Sequence, residues 1–501
     1  MRRSGDDDDG FTTSRAKFEQ VVGFLDGEAA SGLSHADLED RLNIEGRELL
    51  RLLYQDHLDL RAERERRQGP VIDAGGVSRP SVEAGHTRGL TTIFGEVTVT
   101  RYAYRRPGHP NLHPADRALN LPEERHSHGV RRLAATQAAR GSFDDATDAV
   151  RSATGATVAK RQVEALAQRA AVDFEAFYAT RPRPPADPEE VVVISVDGKG
   201  IVMRPEALRA ATATAAAKAT TKLETRLSKG EKRNRKRMAE VGAVYTAVPV
   251  PRTAADVLAT AADHHVTPKP APKAKAKWLT ASVVNDAATV VADVFDEAER
   301  RDPDHHGTWV ALVDGNNHQI QRIHAEAARR NLKVTTVIDF VHVIEYLWKA
   351  AWSFHPEGDP AAETWVHNKA LAVLDGQATI VAASIRRKAT RRRLDSDKRT
   401  GADRAADYLL NKKRYLDYPT ALAKGWPIAT GVIEGACRHL VKDRMDITGA
   451  RWGLHGAEAV LKLRALRSNG DLDTYWAFHL DHEHRRVHQT RYLNSNIQAA
   501  A

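Results

Sequence analysis

Apolar and polar residues follow a helical period in the first third of the chain and a mixed pattern after it. In residues 15–67 and 142–170, apolar side chains recur at helical spacing, which predicts helices that pack on one another. Residues 88–106 alternate β-branched and aromatic side chains around Gly95 and predict a short hairpin. Beyond a proline-rich break at 181–190, strand-like runs alternate with helical stretches, which is typical of a mixed α/β core.

The predicted core has four strand-like runs and two helical stretches between them. The strands lie at residues 191–196, 241–250, 309–313 and 333–338, and the helices at 281–300 and 317–330. From 351 onward the sequence becomes helical and polar, with no convincing strand. The pattern therefore predicts four regions: a mainly helical region 1–185, a first part of the core 186–350, an all-α insertion 351–425, and a last part of the core with the tail, 426–501.

Composition narrows the class of protein. At 501 residues with one cysteine, Cys437, the chain is long enough for two or three domains and has no internal disulfide or multi-cysteine metal site. It has no apolar run of about 18 residues, and its N-terminus is acidic where a secretory signal would be apolar. We therefore expect a cytoplasmic protein with no membrane partner. The net charge of +9 favours a polyanionic partner.

Residues 142–170 have the pattern of a helix-turn-helix. A first helix with an apolar stripe ends at Gly155, and Thr157 is placed to cap a second helix whose Lys160 and Arg161 face outward. The second helix would then enter the major groove of DNA. An ordinary helical hairpin with a solvated face explains this stretch equally well.

Two apolar strands each end on an Asp-Gly pair. VVVISVDGKG places Asp197 at the end of the first strand, and WVALVDG places Asp314 at the end of a later one. A single such aspartate usually caps a helix or closes a turn. If the two strands pair in parallel, however, they lie about 4.8 Å apart, and the two carboxylates flank a divalent cation.

A third carboxylate is predicted on a helix within residues 428–453. Thr430 is placed to cap this helix, and Glu434, Arg438 and Lys442 follow at i, i+4 and i+8 along one stripe. This edge offers a metal ligand followed by two cations for phosphate. The alternative is an exposed Glu-Arg pair of little consequence. Asp443 and Asp446 are less suitable acids, since helical spacing places the first on the opposite side and the second about three turns away.

The stretch TGVIEGACRHLVKDRMDITGARWG, with the following EAVLKLRALRSNGD, resembles the ISKra4 family of bacterial insertion-sequence transposases. The order of Asp197, Asp314 and Glu434 is likewise similar to that of DDE transposases. The resemblance covers about residues 190–480. It implies an RNase H-like mixed-sheet core with an α-helical insertion, preceded by a mainly helical DNA-binding region.

The resemblance also implies the chemistry. Asp197, Asp314 and Glu434 would hold two Mg²⁺ ions, with Mn²⁺ as a possible substitute, for hydrolysis at the element ends and strand transfer into target DNA. DFVHVIEYLW, which contains Asp339 and His342, is similar to the [C/D]xxH motif of related transposases, and His342 would orient the scissile strand or a metal-bound water.

The implied partners are double-stranded DNA, as terminal inverted repeats and target site, and a second copy in a homodimer or larger assembly at the nucleoid. The candidate DNA contacts, besides Lys160 and Arg161, are Lys199, Arg438, His439, Lys442, Arg444, Arg451 and Trp452. A solvated lysine explains Lys199 equally well, and the alternative for Trp452 is an anchor in the core. Two other hypotheses about the function remain open. One is a structure-specific nuclease with the same fold and metals, and the other is a DNA-binding regulator derived from a transposase.

Overall fold

The computed structural model describes residues 10–218, 235–259, 267–447 and 449–495, and the chain divides into two units. The first unit contains the residues up to Ala179 together with those from Gly470 onward, and the second contains Thr180–Asn469. The C-terminal residues thus group with the N-terminal region, which differs from the prediction that 426–501 belong together. The acidic N-terminal cluster lies mostly outside the described residues.

The first unit is mainly helical. Its helices are Thr12–Asp26, Glu28–Ser31, His35–Arg64, Pro114–Ala118, His128–Arg140, Phe143–Thr154, Lys160–Ala170, Phe174–Thr180 and Leu472–Val487. Its strands are β1 (Val71–Ile72), β2 (Ser78–Arg79), β3 (Ser81–Thr92) and β4 (Gly95–Arg105), which pair as two antiparallel hairpins. The second hairpin starts at Ser81 and is longer than the predicted one, because β3 pairs with β4 over almost its whole length.

The second unit is built on a mixed five-stranded sheet, so the predicted α/β class is confirmed. Its strands are β5 (Val191–Val202), β6 (Lys236–Ala247), β7 (Ala274–Ser282), β8 (Thr308–Val313) and β9 (Val334–Ile338). They lie in the order β7-β6-β5-β8-β9. β5, β6 and β7 form an antiparallel meander, whereas β8 and β9 run parallel to β5. The carboxyl ends of β8 and β9 therefore lie beside the middle of β5, which continues to Val202.

Helices connect and follow these strands. They are Ala210–Lys218, Ala254–Leu258, Ala287–Arg301, Asn317–Arg329, Phe340–Ala351, Pro360–Leu374, Ala378–Arg391, Ser396–Lys412, Tyr418–Ala423, Gly431–Ala436, Asp443–Met445 and Leu454–Ser468. The helix Ala287–Arg301 buries Val290, Val294 and Phe295 and packs on β6 and β5. Within the described part of the chain, every helix is too short or too polar to span a bilayer.

β7 was not predicted from the sequence. Residues 268–277 are rich in lysine and proline, and the following apolar residues resemble the start of a helix. In the structure, Ala274–Ser282 forms the edge strand beside β6. Its lysine-rich first half is exposed and its second half, from Trp278, is buried. Charged residues at a sheet edge discourage pairing with other chains, so this composition suits an edge strand.

Candidate metal centre and nucleic-acid contacts

Asp314 and Asp339 directly follow β8 and β9, whereas Asp197, predicted to end its strand, lies inside β5, which stays paired with β6 as far as Val202. Ser195 of β5 pairs with Leu312 of β8, and the same offset two residues later matches Asp197 with Asp314. Val313 of β8 pairs with Ile338 of β9, and one residue later the offset matches Asp314 with Asp339. Neighbouring strands are about 4.8 Å apart. The fold therefore places three carboxylates side by side, where β8 and β9 end next to β5.

Asp197 and Asp314 receive only local or neutral hydrogen bonds. Asp197 Oδ1 accepts from the Gly198 amide at 2.7 Å, and Asp197 Oδ2 accepts from the Cys437 thiol at 3.2 Å. Asp314 Oδ1 accepts from the Asn316 amide at 2.7 Å. The Tyr408 hydroxyl donates to the carbonyl of Asp314 at 3.1 Å and fixes the turn that follows β8.

Asp339 is fully buried, and both of its carboxylate oxygens accept hydrogen bonds. Asp339 Oδ1 accepts from the Val341 amide at 2.8 Å and so caps the helix Phe340–Ala351. Asp339 Oδ2 accepts from the Thr430 hydroxyl. This contact corrects the expected role of Thr430: it stands at the N-terminus of its helix, but its side chain makes no capping bond there.

Glu434 and His342 complete a cluster with Asp339. One potential ligand atom from each of the three residues lies within 4.8 Å of the others. His342 Nε2 is 4.0 Å from Glu434 Oε1, and the Thr430 hydroxyl is 3.4 Å from the same oxygen. Burial and the nearby charge of Asp339 raise the pKa of Glu434, and His342 offsets this in part. Like charges are therefore crowded at this point.

The segment that carries Glu434 crosses the edge of the sheet. At one end Glu434 lies against Asp339, which follows β9, and three residues later Cys437 donates to Asp197 on β5. β8, which is followed by Asp314, lies between β5 and β9 in the sheet. Burial and the charge of Asp197 raise the pKa of the Cys437 thiol, which stays protonated and serves as a donor.

The donor set suits a hard divalent cation. Among the described residues, no lysine or arginine forms an ion pair with Asp197, Asp314 or Asp339, although a buried carboxylate is costly when nothing offsets its charge. Carboxylate oxygens are the ligands that Mg²⁺ and Mn²⁺ prefer. The residues present therefore fit the metal ions that the family resemblance implies.

Asp339 was named in the sequence only as part of its motif with His342, not as a metal-ligand candidate. The pattern that identified Asp197 and Asp314, an apolar strand that ends on aspartate, is present at Asp339 as well, directly after β9. The sequence alone does not show the strand register that aligns Asp197, Asp314 and Asp339. Glu434 was predicted, and its closest acidic neighbour in the structure is Asp339.

The predicted stripe of Glu434, Arg438 and Lys442 does not follow α-helical spacing. The α-helix Gly431–Ala436 continues as a π-helix over Cys437–Lys442, which widens the turn. Arg464 of the helix Leu454–Ser468 donates from Nε to the carbonyl of Leu440 at 3.0 Å and from Nη2 to that of His439. The widened turn thus has a side-chain partner from another helix.

Four predicted DNA contacts of this unit lie on its surface. Lys199, Arg438, Lys442 and Arg451 are exposed, and the Arg438 side chain is 79% exposed. His439 is half-buried. Asp443, considered as an alternative metal ligand, is exposed and has Oδ1 3.8 Å from Arg438 Nε. Asp446 is exposed as well.

Arg444 is not the surface contact that the sequence predicts, and Trp452 takes its alternative role as an anchor in the core. Trp452 is 4% exposed, its indole Nε1 donates to the carbonyl of Met445 at 3.1 Å, and its backbone bridges to Met203. Arg444 is buried, with its guanidinium 4.6 Å from the centre of the Trp452 ring. These two side chains pack in the interior, so neither contacts DNA in this conformation.

The predicted helix-turn-helix forms two helices, Phe143–Thr154 and Lys160–Ala170, in contact with each other. Gly155 ends the first helix with a φ of +71°, as expected. Thr157 does not cap the second helix; that helix starts after Ala159, whose amide donates to Gln162 Oε1 at 3.1 Å. Lys160 and Arg161 are exposed, and Lys160 Nζ is 2.5 Å from Asp144 Oδ2.

Comparison with known proteins gives no name to this arrangement. No protein-family model matches the chain, and a search of curated proteins finds no match.

Proposed function

We propose that the chain is a DDE-type DNA transposase with an RNase H-like core that cleaves element ends and transfers them into target DNA. The observation that carries the proposal is the strand register that aligns Asp197, Asp314 and Asp339, together with the position of Glu434 beside Asp339. A five-stranded mixed sheet with an antiparallel β5-β6-β7 meander and parallel β8 and β9 is compatible with the core that the resemblance implies.

The residues divide the work at this site. Asp197, Asp314 and Glu434 would hold the metal ions, and Asp339 would add a buried carboxylate beside Glu434. When bound, Mg²⁺ supplies the Lewis-acid chemistry of in-line displacement at phosphorus. Thr430 fixes Asp339 and Glu434 relative to each other, and His342 orients Glu434 from the other side. Lys199, Arg438 and Lys442 provide exposed cations for the phosphates of the DNA strand.

The test is a cleavage and joining assay with purified full-length protein. Labelled duplexes taken from the DNA that flanks the reading frame are incubated with unlabelled target DNA and Mg²⁺ or Mn²⁺. We expect nicks at the element ends followed by products in which the labelled strand is joined to target DNA. Nicks without joined products favour the nuclease. Binding without any cleavage favours the regulator.

Replacement of Lys160 and Arg161 by alanine is expected to weaken binding to the element ends and to reduce its dependence on salt. Each phosphate contact that is lost lowers the slope of log K against log salt by about 0.9. The measurement is fluorescence anisotropy of a labelled end duplex over a series of salt concentrations.

The matched control is Arg151→Ala. Arg151 is an exposed arginine on the preceding helix with Nη2 2.8 Å from Asp148 Oδ1. We expect the slope of this variant to equal that of the wild type. Equal slopes for all three proteins would remove the helix-turn-helix assignment and leave an ordinary helical hairpin.

A further inference from the structure

Two tyrosine hydroxyls bond to the backbone where β8 and β9 end. The Tyr408 hydroxyl donates to the carbonyl of Asp314 at 3.1 Å, and the Tyr418 hydroxyl donates to the carbonyl of Ile338 at 2.9 Å. Asp314 directly follows β8, and Ile338 is the last residue of β9, directly before Asp339. Both tyrosines lie in helices that follow the sheet in the sequence. The helical region after the sheet therefore holds both strand ends that lead into aspartates of the metal centre.

The turn after β8 packs closely against the helix Ser396–Lys412. Gly315 in this turn has a φ of +95°, and a Cβ there would be 2.8 Å from the Tyr408 hydroxyl oxygen and 3.4 Å from Cε2 of the same ring. Glycine is thus required both by the backbone conformation and by the approach of the ring. One turn after Tyr408, Lys412 donates from Nζ to Oδ1 of Asn317, the first residue of the next helix. One helix therefore contacts both ends of the turn.

The Tyr408 ring also contacts the helix that starts after β9. It stacks on Tyr346 of the helix Phe340–Ala351, with centroids 3.9 Å apart and planes at 12°. Nearly two turns before Tyr408, a Cβ at Gly401 would overlap the carbonyl oxygen of Lys349, so the two helices approach each other at backbone distance. Closely packed elements transmit displacements because they have no free volume to absorb them. The position of one strand end is thereby coupled to that of the other.

We propose that Tyr408 and Tyr418 are positioning residues of the metal centre, whose hydroxyls hold the backbone of Asp314 and Asp339 in the arrangement that binds metal. Ligands must be held to within about 0.5 Å of the productive geometry, and side chains behind the ligands provide this precision. Loss of such a supporting partner typically weakens metal binding by about 10- to 100-fold. The inference rests on the proposed function and extends it, since it makes the metal affinity of that site depend on helices outside the sheet.

The experiment measures Mn²⁺ binding to the full-length protein without DNA, from the electron paramagnetic resonance signal of free Mn²⁺. Tyr408→Phe keeps the stacked ring and removes the hydroxyl. We expect this variant to bind Mn²⁺ about 10-fold more weakly than the wild type, and Tyr418→Phe to be weakened in the same way. An affinity that is unchanged in both variants would overturn the proposal. So would a wild-type protein that binds no Mn²⁺.

The matched control is Tyr415→Phe. Tyr415 lies between the two tyrosines in the sequence and is 7% exposed, and its hydroxyl has no hydrogen-bond partner within the described part of the chain. Removal of this hydroxyl is expected to leave the Mn²⁺ affinity at the wild-type value. Equal weakening in Tyr415→Phe and Tyr408→Phe would show that the effect arises from general packing of the region, and would overturn the positioning role.

Hydrogen exchange in EDTA separates positioning from a loss of overall stability. The Asn316 amide donates to Asp314 Oδ1 at 2.7 Å and reports on the turn directly. We expect it to exchange faster in Tyr408→Phe, whereas the amides of β6, on the other side of β5, keep their wild-type rates. Faster exchange throughout the sheet, with a lower melting temperature, would indicate a purely structural role and contradict the proposal.

The result is separable from that of the proposed function. Neither Mn²⁺ binding nor hydrogen exchange requires DNA, so a failure to join DNA ends leaves both measurements valid. Conversely, equal Mn²⁺ affinities of the wild type, Tyr408→Phe and Tyr418→Phe overturn the positioning role alone, whatever products the joining assay yields.

Discussion

Asp197→Asn, Asp314→Asn and Glu434→Gln are each expected to slow DNA strand cleavage by at least about a thousandfold. Each change replaces a charged oxygen ligand with a neutral amide at a site where metal ions contribute several kcal/mol to the transition state, and about 4 kcal/mol corresponds to this factor. The measurement is the single-turnover rate of nicking on labelled end duplexes in Mg²⁺. End binding in EDTA is expected to stay at the wild-type level, because the changes leave the cationic surface intact.

The same substitutions are expected to leave thermal stability unchanged or higher. Burial and the charge of Asp339 raise the pKa of Glu434, so the folded state favours the protonated form and ionisation of Glu434 opposes folding. Glu434→Gln removes this repulsion. As pH falls through the raised pKa, wild-type Glu434 becomes protonated, so the melting temperatures of the two proteins should converge in acid.

Asp446→Asn serves as the control for these variants. Asp446 is an exposed acid that follows the same helical segment, and its replacement should change neither cleavage nor melting temperature. If Asp197→Asn, Asp314→Asn and Glu434→Gln all unfold at much lower temperature than Asp446→Asn, the carboxylates have a structural role. The metal centre would then lose its support.

The sequence predicts the acids of the centre better than their arrangement. An apolar run followed by aspartate is visible three times in the sequence, but the alignment of the three aspartates depends on strand pairing, which joins residues as distant as Ser195 and Leu312. Local periodicity contains no information about such pairings. For the same reason the sequence does not show that Cys437 lies against Asp197.

Errors in the predicted surface have a different cause. Helical spacing of 3.6 residues was assumed for the segment after Glu434, whereas the chain forms a π-helix there whose carbonyls bond to Arg464, 25 residues beyond His439. Tryptophan and arginine are residue types that DNA contacts often use, yet the Trp452 indole donates a hydrogen bond to a backbone carbonyl inside the fold. Residue type alone does not distinguish an exposed aromatic side chain from a buried one.

A second large effect is expected from Arg131 in the first unit. Arg131 is fully buried and joins residues that are distant in sequence: its Nη2 is 2.9 Å from Glu483 Oε1 and 2.5 Å from Glu124 Oε1. Its Nη1 is 3.1 Å from His479 Nε2. His479 in turn places Nδ1 2.7 Å from Asp173 Oδ2. The network thereby fixes the C-terminal helix Leu472–Val487 to the helix His128–Arg140 and to Asp173, which precedes the helix Phe174–Thr180.

Arg131→Met is expected to lower the free energy of unfolding of the first unit by about 1.5 to 3 kcal/mol, because the charged hydrogen bonds of Arg131 to Glu124 and Glu483 are lost while Arg169 and Arg486 stay paired with these carboxylates. The measurement is calorimetry of the full chain, in which the transition of the first unit should move to lower temperature. Arg132→Met is the matched control. Arg132 is the exposed neighbour, paired with an exposed Asp473, and such pairs contribute less than about 1 kcal/mol.

Acid is expected to act on the same unit. Burial raises the pKa of Asp173, but hydrogen bonds from His479 and Arg486 outweigh it and hold the pKa well below its usual value. Because the pKa is lower in the folded state, the ionised carboxylate of Asp173 stabilises the unit at pH values above the unfolded pKa of about 3.9. This stabilisation is lost as the pH falls below that value. The melting temperature of the first unit in the wild type should therefore fall steeply in that pH range, whereas the melting temperature of Asp173→Asn should fall less. If Arg131→Met and Arg132→Met melt alike, the C-terminal helix is not fixed by this network.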